Sequence, residues 1–219
     1  MADQVSSDVK KFFHGYAADF DSIYGHTETR SAFGKWVDKN FRQTMFLRFE
    51  EVLKNTGKDE IKTVLDVGCG PGRYIVEFLL QGKDVTGLDL ADGMVQIAKK
   101  VADGIDYSGK LDFVVSGYME HEFAKQYDAA CLMGFFDYIE KPEDIVNKLK
   151  KDVSKEFYMS FPIAGGLIGW QREVRYKMRN CPLYMYTKAD VIQIMDNCGL
   201  QGKYEILDFG RDYFVKVTL

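Results

Sequence analysis

From Thr63 onward, apolar runs of five or six residues alternate with stretches of helical period, and Gly, Pro or Asp marks each change. The order reads strand 63–67, a helix from Arg73 to about Gln81 with Gly82 as its stop, strand 84–89, a helix from about Asp92 to Ala102, and strand 111–115. The second half continues with a fourth strand at 129–133 and a helix opened by Pro142. That helix carries Glu143 and Asp144 in its first turn and Lys150 and Lys151 in its last, so its charges oppose the macrodipole at both ends. A fifth strand is predicted at 157–161, and Thr187 with Asp190 forms a capping pair for a helix that ends at Gly199. Strands 204–209 and 213–218 are joined through Gly210-Arg211, a connection so tight that it makes the last pair antiparallel. Two helices precede the sheet. Ser6 or Ser7 caps one carrying Phe12, Phe13 and Tyr16; the other places Phe33, Trp36, Val37, Phe41 and Met45 on one stripe and stops near Gly57. Strand and helix in strict alternation predict an α/β chain with a mostly parallel sheet.

At 219 residues and 46% hydrophobic, the chain is long enough to bury a full core as one unit. Residues 1–58 read as a helical arm or lid, and 59–219 as the core with a cap insertion at 162–187. A formal net charge of −4 argues against nucleic-acid binding driven by bulk charge. The opening MADQVSSDVKKFF lacks the apolar centre of a signal peptide and no run is long enough to cross a bilayer, so a soluble, cytoplasmic protein without a membrane partner is expected. Cys69, Cys131, Cys181 and Cys198 show no paired C-x-x-C spacing, and His14, His26 and His121 are dispersed. Reduced thiols and no metal site are expected.

The chemistry concentrates in VLDVGCGPG, Val64 to Gly72, and in the isolated acid of VTGLDL, Asp89. An apolar strand that ends in closely spaced glycines and runs into a helix lets backbone approach a ligand that side chains would block. A dinucleotide fingerprint needs its third glycine where this chain has Arg73, and the Gly-Lys-Ser/Thr of a phosphate loop is absent. Asp89, at the tip of the second strand, is placed where a carboxylate accepts from both hydroxyls of a ribose.

The spacing Gly68-x-Gly70-x-Gly72, with Asp66 two residues before and Cys69 inside, resembles motif I of the class I S-adenosylmethionine-dependent methyltransferases. The resemblance runs from roughly Phe20 to the C-terminus, with distant likeness to the magnesium-protoporphyrin methyltransferases in the arm, the glycine loop and the fourth-strand segment. It implies a Rossmann-like class I methyltransferase fold, a seven-stranded, mostly parallel sheet with a reversed last strand, and S-adenosyl-L-methionine as cofactor. It further implies that Asp89, Leu90 and Met94 of DLADGM flank the adenosine. After the third strand the family usually shows Gly-Asp-Ala; this chain has Gly117, Tyr118 and Met119, so a tyrosine ring or hydroxyl and nearby amides stand in for the aspartate. ADFDSIYG resembles the family's lid segment and puts Tyr24 at the cofactor.

CLMGFFDYIEKPED leaves the fourth strand at its carboxyl end, beside the glycine loop, where open α/β sheets bind ligands. Met133 is expected to border the methyl donor, and Phe136, Asp137 and Tyr138 to face a small-molecule acceptor. Asp137, Tyr138, His14 and His26 are the groups able to take a proton from it, Asp137 first by location. In the cap insertion, helical spacing puts Arg172, Arg175 and Arg179 on one face. Trp170, Arg175 and Tyr186 are its acceptor candidates. The expected reaction is methyl transfer to an oxygen or nitrogen. The alternatives are a cofactor-binding protein without catalysis and a nucleotide-dependent oxidoreductase.

Overall fold

Residue alternation along the strands decides which side of the sheet each helix covers. A computed structural model describes residues 32–178 and 181–219, with backbone alone for 32–42 and for residues 167, 168, 171 and 175. The elements are α1 (Ala32–Thr56), β1 (Thr63–Val67), α2 (Arg73–Leu80), β2 (Asp84–Asp89), α3 (Asp92–Ala102), β3 (Leu111–Val115), β4 (Tyr127–Leu132), a 3₁₀ turn (Phe136–Tyr138), α4 (Pro142–Asp152), β5 (Val153–Pro162), α5 (Gly166–Lys177), α6 (Lys188–Asn197), β6 (Tyr204–Asp208) and β7 (Asp212–Thr218). The arm helix, Tyr24, His14, His26 and Arg179 lie outside the described residues, as do the side chains of Phe33, Trp36, Val37, Phe41 and Arg175.

The strands form one sheet in the order β3-β2-β1-β4-β5-β7-β6. All neighbours are parallel except β7, which runs against both β5 and β6. The reversed strand therefore sits inside the sheet and β6 forms the edge. Odd positions of β1, Leu65 and Val67, join Phe157, Met159 and Phe161 of β5 against α4 and α6. Even positions, Val64 of β1 and Tyr158 of β5, face the other way with Cys131 and Phe214, against Val52 of α1 and Ile75, Phe78 and Leu79 of α2. Burying one such large side chain contributes about 1.5–3 kcal/mol, so two filled faces hold the sheet between helical layers.

Two strands start earlier than their apolar content suggests. Tyr127 extends β4 because it pairs with Val153, and the irregular step at Asp128 lets that carboxylate accept from the Lys62 and Thr63 amides. β5 follows α4 without a turn, and the polar Ser154-Lys155-Glu156 lies within it. Glu156 is tolerated there because Lys58, Lys216 and the Tyr158 hydroxyl all bind its carboxylate. Thr187 and Asp190 close a reciprocal capping box on α6, as their spacing predicts. All four cysteines are free and buried. Among the described residues no helix is long and apolar enough to cross a membrane.

Candidate functional site

The glycine loop hangs from the second strand. Both Gly68 and Cys69 donate their amides to Leu88 O, at 2.7 and 3.1 Å, and Gly70 N–H donates to Asp89 Oδ2 at 2.9 Å. Asp89 Oδ1 accepts from Ala91 N–H at 2.8 Å, so each carboxylate oxygen holds one amide and keeps a lone pair. The loop residues Gly68, Gly70 and Gly72 all have positive φ, 70°, 52° and 87°. At Gly72 a side chain would strike Ala98, whereas at Gly70 a Cβ would meet nothing within 4 Å. Gly72 thus lets α2 start against α3, while Gly70 borders open space.

Asp66 lies beneath this loop, 2% exposed, and its Oδ2 has no hydrogen-bond partner among the described residues. Burial and then the charge of Asp89 push its carboxyl up to about 8. A buried acceptor with nothing to accept from is costly unless a ligand supplies a donor. Cys69 is buried, and its thiol is pushed up by burial and by Asp66 and Asp89, which makes it a packing residue without thiolate character.

Beyond Asp89, Leu90 is half-buried at the loop's rim, and Met94 is buried in the first turn of α3. Gly117 follows β3 by two residues, and Met119 is 46% exposed. Tyr118 is 3% exposed and its hydroxyl donates to Asp152 Oδ2 at 2.7 Å, with Lys148 Nζ 5.2 Å from the ring centroid. Its hydroxyl is therefore occupied inside the α4 layer. Of the two adenine contacts expected of Tyr118, ring or hydroxyl, the hydroxyl is already engaged with Asp152.

On the other side of the loop, β4 delivers half-buried Met133, then Gly134 and the aromatic turn. Phe135 lies against Gly68, where a Cβ would sit 3.0 Å from its ring, and so joins the glycine loop to the turn. Phe136 is fully buried against Phe161, with ring centroids 4.2 Å apart. Tyr186 is also buried and donates to Ile139 O at 3.0 Å, pinning the end of the cap insertion to the turn. Both rings back the site from the core. Trp170, on α5, is 61% exposed.

Asp137 is buried in a group of charges. Arg172 of α5 donates from Nη2 to Asp137 Oδ2 at 2.5 Å and from Nη1 to Asp212 Oδ1 at 3.0 Å. Arg48 of α1 donates to Asp212 Oδ2 at 2.8 Å. The Tyr176 hydroxyl stands 3.5 Å from Asp137 Oδ2 and 3.3 Å from the Tyr138 hydroxyl. Burial raises the Asp137 carboxyl above its ordinary value, against the pull of Arg172. Burial opposes the charge on Arg172, but Asp137 and Asp212 outweigh it and hold the guanidinium charged.

Arg48 and Asp212 are absent from the residues singled out in the sequence. Their signal was a lone cation within the apolar run MFLRF and a lone acid opening the apolar strand DYFVKV. A charge on an otherwise apolar face needs a partner. Tyr74, opening α2, lies close enough to both Arg48 and Asp66 for each charge to act on its phenol. Phe135, packed on Gly68, opens the turn that carries Asp137, so the charged group and the glycine loop are joined through that turn.

Residues 64–154 match the family described as Methyltransferase domain. Over 134 residues the chain is 29% identical to the ubiquinone biosynthesis O-methyltransferase of Vibrio atlanticus, covering 58% of this chain and 56% of that protein. It is 32% identical over 102 residues to the enzyme of the same name from Escherichia coli, covering 46% and 42%. The chain spans about half the length of these relatives. Among solved structures, the magnesium protoporphyrin IX methyltransferase of Synechocystis with bound SAH superposes with a TM-score of 0.74 at 17% identity, covering 96% of this chain and 97% of that one. The plantazolicin methyltransferase BpumL, in complex with a monoazolic analogue and SAH, gives 0.64 at 15% identity, covering 99% and 96%. At these identities the likeness is one of fold, and the fold is that of the class I methyltransferases.

Proposed function

We propose that this chain, which carries a methyltransferase domain on the class I fold, moves a methyl group from S-adenosyl-L-methionine to an oxygen or nitrogen of a small-molecule metabolite in the cytoplasm. One observation carries the reading. One glycine loop joins side-chain-free space at Gly70, Asp89 bound to the Gly70 amide, and, at the strand end leading into it, a buried Asp66 oxygen with no partner among the described residues.

That donor and acceptor inventory suits S-adenosyl-L-methionine. Asp66 Oδ2 accepts from its ammonium, and the lone pairs left on Asp89 accept from the ribose diol. Leu90 and Met94 flank the base, Gly117, Tyr118 and Met119 close its far side, and Cys69 and Met133 border the methionine end, with Tyr24 as lid. When bound, the cofactor supplies an electrophilic methyl on a sulfonium. The protein's task is to align nucleophile, methyl and sulfur in a dry pocket, because positive charge disappears as the reaction proceeds.

Asp137 takes the acceptor's proton, with Tyr138 beside it, and Phe136, Trp170, Arg175 and Tyr186 form or back the acceptor wall. The O-methyltransferase relatives favour oxygen as the receiving atom. Calorimetry with S-adenosylmethionine, S-adenosylhomocysteine and NAD tests the cofactor. A screen of metabolite extracts for labelled methyl incorporation tests the transfer. Binding of NAD in preference to the two sulfur nucleosides would overturn the reading.

A further inference from the structure

The two buried arginines are not used up by their carboxylates. Arg48 gives Nη1 to Asp212 and reaches Ser160 Oγ at 3.4 Å, and Arg172 divides its terminal nitrogens between Asp137 and Asp212. The Nε–H of each is buried and finds no acceptor among the described residues. A buried cationic donor left unmatched is a standing cost, and an arriving anion relieves it. The two guanidiniums come from helices far apart in sequence and converge on one carboxylate, Asp212.

Their location fits an acceptor. Asp212 pairs with Pro162, the last residue of β5, so the group sits at the carboxyl end of the parallel strands. Gly134, at the exit of β4, donates its amide to Ser160 Oγ, the same oxygen that Arg48 reaches. Tyr138 and Tyr176 supply rings beside Asp137, their centroids 6.2 Å apart. Helix α5 opens at Gly165 (φ 85°, ψ −177°) and Gly166 (φ 69°), and a Cβ at either would meet no atom within 4 Å. The helix that carries Arg172 thus starts from backbone that only glycine adopts readily, with open space around it.

Resting on the methyl-transfer reading, we propose that Arg172 and Arg48 bind an anionic oxygen on the acceptor, a carboxylate or phenolate carried by a flat aromatic body, and that Asp137 is the internal placeholder this oxygen displaces.

The charges balance only one way. Arg48, Arg172, Asp137 and Asp212 sum to zero, and beside the neutral thioether of S-adenosylhomocysteine a further anion in a dry site would leave one negative charge uncompensated. A proton must therefore enter with it. Asp137 faces Arg172 and Tyr176 from α5, Arg48 from α1, Asp212 from β7, Tyr138 from its own turn and Tyr186 from the segment before α6. Asp212 holds an arginine on each oxygen, whereas Asp137 holds one arginine and a distant phenol, so Asp137 is the carboxylate that yields. A carboxylate acceptor brings its proton from solvent. A phenol passes its own O–H proton to Asp137 and stays bound as the phenolate. After methylation the product oxygen is neutral, Asp137 releases the proton to solvent, and its ion pair with Arg172 re-forms.

Calorimetry on the full chain with S-adenosylhomocysteine present tests this, using benzoate, 4-nitrophenol and the neutral benzamide as probes. Benzoate is expected to bind saturably, at least about tenfold tighter than benzamide. Titrations in buffers of different ionisation heat should show uptake of close to one proton per benzoate, and affinity should fall about tenfold per pH unit once Asp137 is ionised in the free protein. Asp137→Asn removes the competitor, so benzoate should bind more tightly and proton uptake should vanish. Arg172→Gln should abolish benzoate binding while S-adenosylhomocysteine still binds.

Equal binding of benzoate and benzamide, no saturable binding of benzoate or 4-nitrophenol, or weaker benzoate binding by folded Asp137→Asn would each overturn the proposal. Asp137→Asn keeps the test open should Arg172→Gln fail to fold, with a thermal melt of each variant as the check. Loss of S-adenosylhomocysteine binding in the unaltered protein would overturn the inference together with the cofactor reading beneath it.

Discussion

Gly72 and Ala98 touch so closely that a Cβ at Gly72 would lie 2.9 Å from the methyl of Ala98 and 3.1 Å from its Cα. The end of the glycine loop is thereby pressed onto the middle of α3, and the loop's shape depends on α3 staying where it is.

Gly72→Ala is expected to destabilise the protein by about 2–4 kcal/mol, combining the left-handed backbone (φ 87°) with overpacking against a helix backbone that cannot yield. Gly70→Ala carries the backbone cost without the clash, and should lose only about 1–2 kcal/mol. Its larger effect should fall on cofactor affinity, since the new methyl projects into the open side of the loop. Denaturant melts and calorimetry with S-adenosylhomocysteine separate the two. Unchanged S-adenosylhomocysteine affinity in folded Gly70→Ala would show that the space at Gly70 is not a ligand's.

Asp66 makes the ligand-free protein sensitive to pH. Its folded carboxyl, at about 8, holds a proton far more tightly than an unfolded aspartate does, at about 3.9. The stability this contributes is complete below the unfolded value and disappears as pH rises through 8. Between pH 5 and 8 the ligand-free protein should lose on the order of a few kcal/mol from this group. Asp66→Asn should flatten that slope and be the more stable of the two at pH 8. S-adenosylhomocysteine should stabilise the unaltered protein more than the variant there. A slope unchanged in Asp66→Asn would assign the dependence elsewhere.

Tyr118→Phe isolates a hydroxyl committed to Asp152 at 2.7 Å. Removing it leaves a buried carboxylate oxygen with Lys148 alone, at 3.2 Å, and should cost about 1–3 kcal/mol of stability. Affinity for S-adenosylhomocysteine should stay within about twofold, because the ring keeps its place in the α4 layer. A fall of tenfold or more would mean that the hydroxyl itself, and not only the ring, serves the adenine.

Much of this was legible in the chain because it is local. The boundaries of β1, β2, α3 and β3 follow from apolar runs and glycine punctuation, and the capping box of Thr187 and Asp190 from spacing alone. The paired bends at Gly68 and Gly70 follow from residues that only such a turn requires. What sequence did not yield is long-range. Glu156 is a lone acid in a strand until Lys58, 98 positions before it, and Lys216, about 60 positions after it, are brought to its carboxylate. Arg48 and Asp212 are each a lone charge in an apolar run, separated by 164 positions, and only the sheet order that sets β7 beside β5 joins them to Asp137. Tyr118 was read at the adenine from the family pattern that follows β3, and such a pattern says nothing of the bond its hydroxyl makes to Asp152.

Asp89 has two duties, and substitutions divide them. Its carboxylate ties Gly70 N–H and Ala91 N–H together across the end of β2, and the lone pairs that remain are those proposed to accept from a ribose. Asp89→Ala should lose on the order of 2–3 kcal/mol of S-adenosylhomocysteine affinity, about thirtyfold to 150-fold, from the charge-assisted hydrogen bonds. The loop amides it releases can turn to water, so the stability loss should stay near about 1 kcal/mol. Asp89→Asn keeps the size and one acceptor oxygen, and should fall between the two in affinity while matching the unaltered protein in melting. Calorimetry against S-adenosylhomocysteine and against a 2′,3′-dideoxy analogue decides the matter. Asp89→Ala should cost the natural ligand far more than the analogue, and an equal loss for both would mean that the carboxylate shapes the loop and another residue grips the ribose.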